Sequence, residues 1–148
     1  MNKIGTMNPH LVWLFALGAT LLGLASGYVT QNAGTAISSA VYFGIFSVSA
    51  FGAMALTRAK ALAGVGAFTI AALLSGGAYY FIVAAATAEA AGALGAGGEG
   101  VGAMGAVMGG FVAVVVTLGT FIAGITGVVA GNKFRTKALE GGPIGATA

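Results

Sequence analysis

No acid or base interrupts residues 11–29, 40–56, 61–86 or 104–130, and each of these runs is predominantly apolar. A helix needs about 20 residues to cross the roughly 30 Å hydrocarbon core of a bilayer, and each run is near or above that length, the second being the shortest. Water cannot wet such a chain: 6% of its 148 residues are charged, against about 25% in an ordinary soluble domain. The solvent for most of its surface is lipid. Unpaired strand edges are excluded there, and no alternation of roughly ten residues marks a barrel, which leaves helices. The predicted fold is therefore all-α, a compact Gly/Ala-rich bundle of four transmembrane helices forming one domain. Its connectors fall at 30–39, 57–60 and 87–103, followed by a tail at 131–148.

Orientation follows from the charges. With the N-terminus in the cytoplasm, all six cations (Lys3, Arg58, Lys60, Lys133, Arg135, Lys137) lie on the cytoplasmic side, while Glu89 and Glu99 face out. Tyrosine gives a second criterion, because its amphipathic ring favours the interface: Tyr28, Tyr42, Tyr79 and Tyr80 all fall toward the outer ends of spans. Trp13 marks the inner end of the first. Both criteria predict both termini inside, in the inner membrane of a bacterium or archaeon. A cleaved signal peptide is a competing reading of the first run, with Lys3 before it and Ala25, Ser26 and Gly27 as a cleavage site. The apolar stretch continues past that site to Val29, which favours a retained span.

Glycine inside a helix costs about 1 kcal/mol relative to alanine, so 27 glycines require a reason. On the fourth run Gly110, Ala113, Thr117, Thr120, Gly124, Gly127 and Gly131 are spaced three and four apart, and all are small. Ala103 and Ala106 extend the series toward the N-terminus. Large residues with the same spacing, among them Phe111, Leu118, Ile122 and Ile125, occupy the other side. The first run repeats the arrangement, with Ala16, Ala19, Gly23 and Ser26 against Leu14, Leu17, Leu21 and Leu24. Lipid supplies no hydrophobic drive for helix association, so helices associate through close backbone approach, which small side chains permit. Apart from the extension at Ala103 and Ala106, these eleven small residues are the predicted helix-packing sites. The pair Gly76 and Gly77 is either a further close contact or a kink.

Chemistry-bearing side chains are few. The chain has no cysteine and a single histidine, His10, so neither a thiolate nor a zinc site can be assembled. Met104 and Met108 stand one helical turn apart and read as members of the large face. Glu89, Glu99 and Glu140 fall in connectors or the tail, unpaired for acid–base work, and no ionisable group lies within a span, which argues against ion-coupled transport. "GALGAGGEG" lacks the lysine of a phosphate loop. A net charge of +3 spread over six cations, without a continuous basic stripe, does not describe a nucleic-acid surface. No enzyme activity, cofactor or metal is expected.

Two functions fit. The first is a non-catalytic structural or accessory subunit, a scaffold acting by helix packing, whose partners are the lipid bilayer and either copies of itself or other membrane subunits. The alternative is a conduit for a neutral or weakly polar solute between protomers, lined by Thr117, Thr120, Thr126, Ser47 or Ser49.

Overall fold

The computed structural model describes residues 4–30, 34–95 and 98–140. Four helices carry them: α1 (Leu11–Val29), α2 (Thr35–Leu56), α3 (Ala61–Leu94) and α4 (Glu99–Glu140), and all four are long and apolar enough to cross a membrane. Among the described residues the one extended pairing is a bridge between Met7 and Thr57. Lys3, Gly97 and the tail beyond 140 lie outside the described residues.

The arrangement is a ring of four. α1 packs on α2, α2 on α4, α4 on α3 and α3 on α1, with α2 and α3 meeting only slightly across one diagonal. Among the described residues α1 and α4 make no contact across the other. Because chain direction alternates, α1 runs parallel to α3 and α2 parallel to α4, so two antiparallel hairpins stand side by side. The interior is built from Val12, Ala16 and Ala19 of α1, Tyr42, Phe46, Ala50, Ala53 and Met54 of α2, Ala67, Phe68 and Ala71 of α3, and Val128 of α4. Leu14, Leu17, Leu21, Phe111, Leu118 and Ile122 point outward, as lipid-facing side chains must.

One connector and the start of the tail differ from the sequence expectation. Residues 87–103, read as a linker from their glycines, are largely helical: α3 continues to Leu94 and α4 begins at Glu99. Alanine is the strongest helix former, and the run from Thr87 to Leu94 is half alanine, so nothing in it stops the helix. The turn comes at Gly95, whose φ of 62° lies in the left-handed region that ends helices. The expected tail from residue 131 is helical to Glu140. α3 and α4 thus have 34 and 42 residues, against 19 and 22 in α1 and α2. At 1.5 Å per residue, α4 is roughly 63 Å long, about twice a bilayer core. α3 also runs uninterrupted through Gly76 and Gly77.

Tyr42 is a further difference. It lies in the core at 3% exposure, not at an interface, and Tyr79 is half-buried against it, ring centroids 5.6 Å apart and nearly perpendicular. Gly23 of α1 explains the burial: a Cβ there would lie 2.9 Å from both the Tyr42 and Phe46 rings, so the missing side chain is the space those rings fill. Tyr28 remains well exposed and Tyr80 marginally so, which halves the tyrosine criterion for orientation.

Candidate functional site

What the small residues do is clearest where α4 crosses α2. A Cβ on Gly131 would lie 2.5 Å from the Phe51 carbonyl oxygen and 2.9 Å from Met54 Cβ, and one on Gly127 would run into the Ser47 carbonyl oxygen. Backbone cannot yield as a side-chain tip does, so both positions exclude even alanine in this packing. On the α3 side, a Cβ on Gly124 would sit 3.0 Å from Phe68 Cβ. Thr120 is fully buried, its hydroxyl donating to the Val116 carbonyl. Ala16, Ala19 and Gly23 are buried in the α1 interface, and Ser26, half-buried, donates to the Gly23 carbonyl.

The N-terminal part of the α4 stripe needs correction. Gly110 is half-buried, but a Cβ on it would meet nothing within 4 Å, and Ala103 and Ala106 are exposed. The buried glycines there are Gly105, beneath Thr87, and Gly109, whose Cβ would touch Tyr80 and Val83 at 3.5 Å. The cause is a change of partner. The C-terminal half of α4 faces α2 and α3 together, whereas beyond the start of α2 only α3 remains, and the contact face rotates toward it. Gly105 and Gly109 form a G-x-x-x-G pair, the sequence signal that identifies this face. Ala113 and Thr117 lie in between, half-buried, and both meet Gly76 of α3, where a Cβ would collide with the Thr117 hydroxyl and lie 2.8 Å from the Ala113 carbonyl oxygen. Gly76 is thus a close contact, while the Cβ side of Gly77 is open.

Polar side chains inside the bundle converge at one level. The Tyr42 hydroxyl is buried without a hydrogen-bond partner among the described residues. Ser75 and Thr120 approach it, but both hydroxyls are engaged along their own helices, on the Ala71 and Val116 carbonyls. The other hydroxyls considered for a conduit scatter. Thr126 is exposed and donates to Ile122, Ser47 is half-buried with its carbonyl against Gly127, and Ser49 lies in a shallow groove with Leu14, Phe15 and Leu22. At the end of the bundle where α1 stops and α2 starts, a cavity of about 440 Å³ opens among the four helices; its walls include Gly27, Ser38, Tyr42, Tyr79, Phe111 and Val115.

The opposite end carries the cations. Arg135 of α4 donates from one terminal nitrogen to the Thr57 and Ala59 carbonyls at 2.7 and 2.8 Å, and from the other to Asn132 Oδ1 at 2.7 Å. A planar guanidinium satisfies all three acceptors at once, and so pins the α2–α3 connector to α4. The N-terminal segment is held to the end of α2 and the start of the same connector by Gly5 N–H on the Ala55 carbonyl, Met7 N–H on the Leu56 carbonyl and Arg58 N–H on the Met7 carbonyl, each 3.0 Å. Nothing in apolar periodicity marks Arg135 for this role. Comparison with protein-family models, with curated proteins and with solved structures returns no match.

Proposed function

We propose that the chain is a non-catalytic inner-membrane protein with both termini cytoplasmic, serving as a structural or accessory subunit of a larger membrane complex. The observation that carries this reading is the projection of α3 and α4 beyond the other two helices. Gly27, near the end of α1, stands level with Tyr79 of α3, and α3 continues from there to Leu94, roughly 22 Å further. The projecting hairpin has its own seam, Gly105 on Thr87, and leaves Leu94, Met104 and Val107 well exposed. Apolar side chains beyond the level of the bundle suit a partner more than water. The scatter of the hydroxyls favours this reading over a conduit.

The test is purification in a mild non-ionic detergent of the full chain and of a variant with residues 85–106 replaced by a short turn. The full chain is expected to migrate with larger partners, and the shortened chain to lose them while keeping the melting transition of its bundle. A full chain that migrates alone, or only with copies of itself, and passes solute in proteoliposomes would establish the conduit instead.

A further inference from the structure

At the cationic end a notch of about 480 Å³ is bounded by Gly5, Arg58, Arg135, Thr136, Leu139 and Glu140. We propose that this notch seats the headgroup of an anionic phospholipid whose phosphate carries a hydroxylated substituent, as in phosphatidylglycerol. Its two arginines have different jobs. The Arg135 guanidinium is occupied by Thr57, Ala59 and Asn132, and its aliphatic stem forms a wall against Gly5, where a Cβ would approach Arg135 Cδ to 3.3 Å. Arg58 is exposed and uses only Nε, which donates to the Gly5 carbonyl at 3.3 Å. Its two terminal nitrogens have no partner among the described residues, and that bond holds the side chain along the notch wall. A held guanidinium with free terminal N–H groups is a fork suited to a phosphodiester.

The surroundings select the rest of the ligand. Among the described residues this end of the bundle carries Arg58, Lys60, Lys133, Arg135 and Lys137 against Glu140 alone, so the field favours an anion. Leu139 offers apolar surface beside the notch, which a lipid uses and a free phosphate does not. Glu140 lines the notch as well. Its carboxylate repels a bare phosphate but accepts hydrogen bonds from headgroup hydroxyls. The site lies where the apolar part of α4 gives way to Asn132 and Lys133, the depth at which a headgroup sits.

The experiment titrates the purified full chain in non-ionic detergent with dioleoylphosphatidylglycerol, dioleoylphosphatidylcholine or glycerol phosphate, counting bound lipid by native mass spectrometry and following the melting temperature. The expected result is one tightly retained phosphatidylglycerol and a raised melting temperature, with neither other compound matching it. Arg58→Gln is expected to weaken retention about tenfold, and Lys60→Gln, an exposed cation on the same connector outside the notch, less than about twofold. Thr136→Asp keeps the Arg58 contact to Gly5 and sets a second carboxylate in the notch; it is expected to abolish retention even if Arg58→Gln fails to fold. Equal losses from Arg58→Gln and Lys60→Gln would overturn the site in favour of diffuse attraction. Equal binding of glycerol phosphate would overturn the lipid, and equal binding of phosphatidylcholine the requirement for net negative charge.

Discussion

A methyl group added at Gly127 meets the Ser47 carbonyl oxygen and Ala50 Cβ, whereas one added at Gly18 meets nothing within 4 Å. The two substitutions therefore have opposite signs. Gly127→Ala gains the helix preference of alanine but forces α4 away from α2, a net loss of about 2 kcal/mol by the overpacking of close contacts. Gly18→Ala is expected to stabilise by about 0.5 to 1 kcal/mol, because only backbone freedom changes. Gly124→Leu, against Phe68, belongs with the first, and Ile122→Leu, 64% exposed, is expected to be near neutral. Reversible unfolding in mixed micelles measures all four; a Gly127→Ala as stable as Gly18→Ala would mean that α2 and α4 do not cross there. Composition alone cannot make this distinction, since a glycine facing lipid and one facing a carbonyl oxygen look alike until the neighbouring helix is placed.

At the scale of the element, the ends of the helices follow rules other than those of their middles. Span existence was legible because it rests on length and absence of charge, and α1 begins and ends where its apolar run does. The continuation of α3 and α4 was not legible, because glycine-rich sequence breaks a helix in water, whereas here Gly105 and Gly109 are contact points between two helices that support each other. The same pairing explains why the small residues of α4 meet neighbouring helices closely from Thr120 to Gly131 but not at Gly110: a face is defined by a partner, and the partner changes. Arg135 illustrates an element end held by chemistry instead of packing. Arg135→Met keeps the stem but removes the donors to Thr57 and Ala59, and is expected to cost about 2 kcal/mol, the range for hydrogen bonds from a charged group. Hydrogen exchange at the amides of Thr57 and Ala59 should accelerate while that in the middle of α3 does not; uniform acceleration would mean that Arg135 supports the whole bundle and not the connector.

For the whole molecule, the decisive asymmetry runs along the bundle axis. Among the described residues one end gathers five cations, the docked N-terminal segment and the connector between α2 and α3; the other carries the projecting hairpin with Glu89 and Glu99. From Ala61 to Tyr79 the axis spans roughly 27 Å, close to a hydrocarbon core, so the cationic end and the hairpin fall on opposite sides of one membrane. In the proposed orientation the cations lie in the cytoplasm, as the positive-inside rule expects. With Tyr42 and Tyr79 turned into the bundle, tyrosine placement adds little to that argument, which now rests on charge. Single cysteines in this cysteine-free chain at Thr35, Glu99 and Thr136, all exposed, provide the check. An impermeant maleimide added to intact cells should modify positions 35 and 99 and leave 136 untouched until the cells are opened. Modification of 136 from outside, with 35 and 99 protected, would invert the molecule, place the hairpin in the cytoplasm and move the search for its partner there.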